Sequence, residues 1–228
     1  MSVLLLVRHG QASWGAADYD VLSPTGEQQS RILGAALAGR GVVADVVVRG
    51  SMRRHRQTAD AAVAAAGWPG DVVEDTGWDE FDHLQMLDLH PPALGVGEEL
   101  TRAEFQRWFE EATLRWTGGE HAHEYDESFA DFGARVDAAL RRTVARLEPK
   151  HTGVVFTSGG PTSWVAASLL SGPSTGSGQA ARVWTQLNPV TVNASVTKVV
   201  VGRRGATLVS FNDHSHLEAV DPALITYR

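Results

Sequence analysis

The sequence contains no cysteine and no long apolar run, and both absences narrow the classes of protein that it can encode. Without thiols the chain has no disulfide, no thiolate nucleophile and no thiolate metal site, which is typical of a cytoplasmic protein. No apolar run approaches the roughly 20 residues that a membrane span requires. Neither a basic segment nor a small-residue cleavage site flanks the first apolar run, so we expect no signal peptide.

Positive charge is in deficit as well. The chain has 20 Lys and Arg residues against 27 Asp and Glu residues, a net charge of −7. This balance disfavours nonspecific binding to nucleic acid or to anionic membranes. With 228 residues, 43% apolar and 21% charged, the chain fits one globular domain over residues 1–228. Any site for an anion must therefore concentrate positive charge locally.

A short buried strand that ends in charge and glycine lies near the N-terminus. The apolar residues Leu4–Val7 lead directly into Arg8, His9 and Gly10. Ligands of open α/β sheets bind at the carboxyl ends of such strands. Arginine offers phosphate a planar fork of donors, imidazole can be a nucleophile, acid or base, and glycine permits close backbone approach. The tripeptide alone is equally compatible with a strand that ends in a polar turn.

Two further strands lead into polar segments. Residues 42–48 predict a strand followed by a helix, and four arginines lie within eight residues at that junction. Arginine in a first helical turn opposes the helix dipole, so this cluster indicates a bound anion better than a stabilising role. Residues 154–157 predict another strand, which runs into Ser158-Gly159-Gly160. Backbone N–H groups in such a glycine turn can also bind an anion.

Taken in order, these motifs resemble the histidine phosphatase superfamily, also called the phosphoglycerate mutase-like family. The resemblance includes a Leu-Ser-x-x-Gly-x-x-Gln pattern at 22–29 and an Arg-x-x-Gln-Thr-Ala segment at 54–59. It implies an α/β fold, a three-layer α/β/α sandwich with a mainly parallel sheet. It also implies a cap insertion at about 81–127 that sets substrate choice. Aromatic residues in a predicted helix at 103–116 could line a pocket there, although such a stripe is more often core packing.

The resemblance also implies roles for the basic residues. In the family the histidine after the arginine is phosphorylated during turnover, which points to His9. Arg8 and Arg54 would clamp the phosphoryl oxygens. Because the register of the second arginine rests on three matched residues, Arg53 or Arg56 could share its role.

A proton donor to the leaving group is expected in the turn at 77–82. Glu80 matches the glutamate that the family places there, and Asp79 and Asp82 are the alternatives. Proximity to apolar rings would raise the pKa of Glu80 and keep it protonated near neutral pH. The Gly-x-Trp-Glu-Gly tail that follows this glutamate in the family is missing here.

Three positions depart from the family motifs. Gly50 stands in place of a serine and His55 in place of an alanine, and Ser158 replaces the second pocket histidine. A serine hydroxyl can donate one hydrogen bond to a phosphoryl oxygen but cannot carry positive charge. We therefore expect Ser158 and Gly159 to bind phosphate, with reduced electrostatic support.

Two histidines beyond the last predicted strand could replace the lost cation. A strand pair at 193–201 and 207–211 leads into His214 and His216. We prefer His216, because Ser-His-Leu resembles the closing His-Leu of the family. A solvated C-terminal turn is an equally good interpretation.

A second histidine pair lies in the glycine-led loop at 118–126. His121 and His123 with flanking carboxylates are compatible with zinc binding, yet such ligands on a loop are weakly positioned. We expect no metal and no cofactor at the functional site.

The sequence thus predicts a metal-independent phosphatase that acts on a small phosphomonoester through a phosphohistidine on His9. One alternative is a phosphoglycerate-mutase-type phosphotransferase, which is disfavoured by Ser158 and by Gly15, where mutases of the family carry asparagine. The other is a catalytically impaired module that binds a phospholigand. The expected partner is a small phosphorylated substrate, with no nucleic acid and no membrane, and a homodimer is left open.

Overall fold

The computed structural model describes residues 1–13, 20–68, 71–92, 100–172 and 177–227, except for the side chain of Ser177. Gly15 lies outside these ranges, and so does the glycine-containing break that the sequence indicates at 95–97. Residues 173–176, half of a glycine- and serine-rich segment at 171–178 that is typical of a linker, also lie outside them. Within them, no helix combines the length and the apolar character needed to cross a bilayer.

The described residues form one six-stranded sheet with the strand order β3-β2-β4-β1-β5-β6. Its first four strands are mutually parallel, whereas β5 runs antiparallel to β1 and β6 antiparallel to β5. The mixed α/β fold with a mainly parallel sheet is as predicted. The strands are β1 (Ser2–Arg8), β2 (Val46–Arg49), β3 (Val72–Glu74), β4 (Thr152–Thr157), β5 (Val196–Gly202) and β6 (Gly205–Asp213).

Helices cover both faces of the sheet. Alternate residues of β1 divide between two buried clusters, because successive side chains of a strand point to opposite faces. Leu5 and Val7 pack with α1 and α2, and Leu4 and Leu6 pack with the helices of the other face. The helices are α1 (Pro24–Gly39), α2 (Arg53–Ala66), α3 (His83–Asp88), α4 (Arg102–Gly118), α5 (Phe129–Ala145), α6 (Gly159–Ser171), α7 (Ser177–Leu187) and α8 (Ser215–Glu218).

The second strand is shorter than the apolar pattern predicts. Residues 42–45 precede β2, and the backbone N–H of Val42 donates to the Leu37 carbonyl at the end of α1. Asp45 meets the sheet only at its margin, where its carboxylate accepts from Thr152 N–H at 2.7 Å. The start of this apolar run therefore completes the helix end instead of extending the sheet.

The turn after β1 is held against the first turn of α1. Ser23 caps α1 by accepting from Gly26 N–H at 3.1 Å. A Cβ atom on Gly26 would collide with the Gln11 carbonyl, so a glycine is required for this close approach. Gln29 accepts from Gln11 N–H at 2.8 Å and donates to the Leu224 carbonyl at 2.7 Å. The Leu-Ser-x-x-Gly-x-x-Gln segment thus fixes the backbone next to His9.

Candidate active site

The carboxyl ends of β1, β2 and β4 meet at one edge of the sheet, because these strands are parallel neighbours. His9 follows β1, α2 follows β2, and Ser158 follows β4. A cavity of about 590 Å³ opens at this edge. The cavity is lined by five of the residues that the sequence predicted, Arg8, His9, Arg54, Glu80 and Gly159. Ser158, which the sequence also predicted to bind phosphate, is fully buried and does not line the cavity.

Hydrogen bonds at both ring nitrogens hold His9 in one orientation. Its Nδ1 lies 2.7 Å from the Gly10 carbonyl oxygen, which can only accept, so Nδ1 carries the proton. The Nε2 atom therefore has a lone pair, and it accepts from Arg54 Nε at 3.2 Å. Burial, followed by the charges of Arg54 and Arg8, lowers the pKa of His9 well below 6.5. The imidazole is neutral at neutral pH, which is the nucleophilic form.

Arg8 is positioned from the C-terminal part of the chain. Its Nη1 donates to the Thr191 carbonyl, and its Nη2 donates to the Tyr227 carbonyl at 2.8 Å. Tyr227 also lines the cavity. These two carbonyls fix the guanidinium beside His9, where its charge contributes to the lowered pKa of the imidazole.

Arg54 is the arginine of α2 that reaches the cavity. It is 6% exposed, whereas Arg53 and Arg56 do not line the cavity. Its Nη1 donates to Asp20 at 2.6 Å. Asp20 also accepts from the backbone N–H of Arg53 at 2.8 Å, so one carboxylate occupies the start of α2. Sequence reasoning missed Asp20, because nothing near it in the sequence marks it as a partner of α2.

Glu80 lines the cavity beside the first turn of α6, which follows β4. Its Oε2 accepts from Gly160 N–H at 3.1 Å, and a Cβ atom on Gly160 would collide with the carboxylate. Removal of the carboxylate from water raises the pKa of Glu80, against the opposing effect of the Gly160 hydrogen bond. A protonated carboxyl group can serve as a general acid.

The two alternative acids have other partners. Asp79 accepts from the backbone N–H and the hydroxyl of Ser51, both at 2.6 Å. Asp82 caps α3 by accepting from the N–H groups of Leu84 and Gln85 at 2.9 and 3.0 Å. Neither lines the cavity, so Glu80 is the candidate that the geometry favours.

The structure does not bring His216 to the cavity, contrary to the sequence expectation. Its Nε2 lies 3.1 Å from the Ala194 carbonyl oxygen, and burial lowers its pKa to about 4. It is therefore neutral at neutral pH and supplies no positive charge. His214 has its Nδ1 2.7 Å from the Asn212 carbonyl oxygen and also lies outside the cavity. Ala194 lies between His216 and the nucleophile, because its backbone N–H donates to the His9 carbonyl at 3.1 Å.

Two other histidines lie near the nucleophile, and sequence reasoning missed both. His83 begins α3 and lines the cavity, where burial and the Arg54 charge lower its pKa. The ring of His55 is fully buried, and its centroid lies 5.7 Å from that of His9. Its Nε2 is 2.7 Å from Ser158 Oγ. His55 and Ser158 both depart from the family motifs, and these two departures are the sequence signal from which their pairing could have been predicted.

The wall of the cavity away from His9 is largely apolar. Among the described residues that line the cavity, only Arg8 and Arg54 carry a fixed positive charge. The apolar side chains come from the segment after Glu80, from α3 and α4, and from α7. They are Phe81, Leu84, Leu87, Phe105, Trp108, Phe109, Leu114 and Trp184.

His121, one of the two histidines in the loop whose composition is compatible with zinc binding, pairs with a neighbouring carboxylate. His121 Nδ1 lies 2.8 Å from a carboxylate oxygen of Glu124, which also accepts from Arg115 at 2.6 Å. The described part of the chain contains no group of three or more histidine, aspartate or glutamate side chains arranged to hold a metal ion.

Comparison with known proteins identifies the class that this fold and site define. Residues 4–214 match the sequence profile of the histidine phosphatase superfamily (branch 1), and the chain belongs to that superfamily. A 2,3-bisphosphoglycerate-dependent phosphoglycerate mutase from Thermobifida fusca is 36% identical over 113 residues, which are 46% of this chain and 42% of the mutase. The mutase from Azorhizobium caulinodans is 27% identical over 154 residues, or 64% of this chain and 65% of the relative. The matches thus span less than two thirds of these relatives.

Solved structures share the fold over most of the chain. A phosphoserine phosphatase mutant from Entamoeba histolytica, in complex with phosphoserine, has a TM-score of 0.65 at 20% identity, covering 95% of this chain and 100% of that one. The mycobacterial glucosyl-3-phosphoglycerate phosphatase has a TM-score of 0.62 at 24% identity, covering 92% of this chain and 98% of the phosphatase. At these identities the likeness establishes the fold alone.

Proposed function

We propose that the protein is a phosphomonoesterase that works through a phosphohistidine on His9. The observation that carries this proposal is the orientation of His9, whose Nε2 lone pair is directed to Arg54 at a cavity that Arg8 and Glu80 also line. A histidine that only bound phosphate would gain from being charged, whereas this one is held neutral.

The geometry supports a two-step reaction. His9 Nε2 attacks phosphorus and forms an N–P bond while the ester P–O bond breaks, and Glu80 gives its proton to the departing oxygen. Arg8 and Arg54 stabilise the charge on the equatorial oxygens. Water then attacks phosphorus and passes a proton to the Glu80 carboxylate, and the N–P bond breaks. The products are an alcohol and inorganic phosphate, and the enzyme returns to its starting state.

The proposal is tested by phosphate release from a panel of phosphomonoesters, assayed with and without a chelator. Turnover that survives the chelator is the expected result. Absence of phosphate release across the panel and across pH would contradict the proposal and favour a module that only binds phospholigands.

A phosphoglycerate-mutase-type transferase is the second candidate, and the two mutase relatives are the observation that favours it. Such a substrate carries a carboxylate besides its phosphate. The described cavity wall offers that carboxylate apolar side chains together with Asp88 and Glu110, which would repel it. Transfer of the phosphoryl group between two phosphoglycerates, measured beside phosphate release, separates the two activities.

We further propose that the alcohol part of the substrate is apolar and bears a ring. The expected result is that kcat/KM for a naphthyl phosphate exceeds that for 3-phosphoglycerate by about 100-fold, since apolar burial contributes about 1.5–3 kcal/mol per side-chain-sized group.

Phe105→Ala should raise KM for the naphthyl ester about tenfold with kcat unchanged, because it removes binding shared by ground and transition states. Val209→Ala on β6, where the side chain is 56% exposed, is the matched control. A preference for phosphoglycerate would refute this assignment.

The role of Glu80 predicts a dependence on the leaving group. Glu80→Gln should lower kcat/KM, which reports formation of the phosphoenzyme, by about 10²–10⁴-fold for an alkyl phosphate and far less for p-nitrophenyl phosphate, since nitrophenolate leaves without a proton. Because Glu80 acts in its protonated form and its pKa is raised, kcat/KM should fall as the pH rises through that pKa. The pH profile of the Glu80→Gln variant should lack this decrease. Asp82→Asn, outside the cavity, is the control. Equal losses with both substrates would argue against general-acid catalysis by Glu80.

A further inference from the structure

Two buried polar residues behind the nucleophile have no part in the reaction described above. His55, in the first turn of α2, and Ser158, directly after β4, are both 0% exposed. They are 103 residues apart in sequence, and their Nε2 and Oγ atoms are 2.7 Å apart. Burial of polar groups is unfavourable unless they are paired, so each side chain depends on the other.

The space for the His55 ring is provided by Gly50. A Cβ atom at Gly50 would collide with His55 Nδ1 and lie 2.5 Å from Asp79 Oδ1. Residues 50, 55 and 158 all depart from the family motifs, and the structure places them in one contact cluster. A glycine admits an imidazole from α2, and that imidazole reaches the serine at the end of β4.

The other side of the His55 ring faces a carboxylate. His55 Nδ1 lies 3.7 Å from Asp79 Oδ1 and has no hydrogen-bond partner among the described residues. Asp79 is fixed in turn by the two hydrogen bonds from Ser51. Asp79, His55 and Ser158 thus form a continuous row that ends next to His9, whose backbone N–H donates to the Thr157 carbonyl at 2.8 Å.

The proton on His55 decides what the Ser158 hydroxyl can do. When only Nδ1 is protonated, toward Asp79, Nε2 is an acceptor and the hydroxyl donates to it. When both nitrogens are protonated, Nε2 donates to Oγ and the hydroxyl proton can be donated to another acceptor. A charged donor behind a hydroxyl also strengthens the hydrogen bond that the hydroxyl donates.

We propose that His55 is a positioning residue that acts through Ser158, the residue before the cavity-lining Gly159. When a phosphoryl dianion binds, His55 takes up a proton from solvent, and the Ser158 hydroxyl turns towards the cavity and donates to a phosphoryl oxygen. This inference rests on the proposed function of the site. The proton returns to solvent when phosphate leaves, so the relay is unchanged over one turnover. His55 thereby restores an imidazole that Ser158 alone lacks.

The charges around His55 fit this cycle. Arg49 and Arg54 and the nearby ring of His9 oppose an imidazolium, and Asp79 favours it. Burial and the charges of Arg54 and Arg49 keep the pKa of His55 well below 6.5, so the ring is neutral before a phosphoryl group binds. A bound dianion offsets the two arginine charges, and the proton then becomes favourable.

The test combines four variants of the full chain: Ser158→Ala, His55→Gln, the double variant with both changes, and the exchange variant His55→Ala/Ser158→His. Each single change should lower kcat for p-nitrophenyl phosphate about 10–100-fold, and the double change should cost no more than the worse single one. The exchange variant, which returns the imidazole to position 158, should recover activity to within about tenfold of the starting protein. His214→Ala is the control, and the Tm of each variant is measured.

A second readout does not require turnover. Calorimetry of inorganic phosphate binding in two buffers gives the protons taken up per phosphate, and the unmodified protein should take up more than His55→Gln does. The inference would be overturned if a folded Ser158→Ala variant had the same kcat, pH profile and proton uptake as the unmodified protein. It would also be overturned if the losses of the two single variants were fully additive in the double variant. Absence of turnover in the unmodified protein overturns the proposed function instead, and the proton uptake still decides the role of His55.

Discussion

His9→Ala is expected to abolish turnover, with kcat lowered by at least about 10⁴-fold for every phosphomonoester that the protein accepts. Without Nε2 there is no nucleophile to form the N–P bond, and the arginines alone can only bind phosphate. The size of the loss should not depend on the leaving group, because formation of the N–P bond is required for all substrates.

Binding should survive this change. Arg8 keeps its contacts to the Thr191 and Tyr227 carbonyls, and Arg54 keeps Asp20, so inorganic phosphate should still bind to the alanine variant. Calorimetry with phosphate is therefore the control that the site remains folded. A variant that binds phosphate and retains more than a few per cent of kcat would show that another group attacks phosphorus.

Arg54→Ala is expected to have the second largest effect, a loss of about 10³-fold in kcat. The guanidinium serves two purposes, since it donates to His9 Nε2 at 3.2 Å and its charge holds the pKa of His9 down. Its removal withdraws transition-state stabilisation. It also raises the pKa of His9, so the acid limb of the pH–rate profile should move to higher pH.

The neighbouring arginine provides a matched control. Arg56→Ala removes an equal charge from the same helix, but the side chain is exposed and does not line the cavity. Its kcat and pH profile should equal those of the unmodified protein. Similar losses in the two variants would mean that the net charge of α2, rather than one guanidinium at the phosphoryl group, governs activity.

Local sequence patterns predict most of what lies along one segment. The apolar run before Arg8 predicts β1, and the apolar run at 154–157 predicts β4. Parallel strands bring their carboxyl ends to one edge of a sheet, so the residues that follow those strands are expected to meet there. The sequence therefore predicts that Arg8 and His9 meet an arginine from the start of α2 at one site. The resemblance to the family, rather than the strand pattern, points to Arg54 among the arginines there.

Contacts between distant segments were beyond such reasoning. The pairing of His55 with Ser158 depends on how α2 packs against the end of β4. The spacing of apolar residues along the sequence does not indicate how close these two segments come. His216 lies outside the cavity, and its contact with the Ala194 carbonyl is likewise a contact between distant segments that no local pattern contains. The helix α7, which contributes Trp184 to the cavity, was not predicted because its start follows a segment rich in glycine and serine.

The central claim is that the phosphoryl group is carried by His9, and trapping the phosphoenzyme tests it most directly. A single turnover with a slowly hydrolysed aryl phosphate, quenched in alkali and digested for mass spectrometry, should yield one phosphoryl group on the peptide that contains His9. The adduct should be labile in acid and absent from His9→Ala. Phosphate released in the burst with no adduct on any histidine, or an adduct on His55 or His83 instead, would contradict the account.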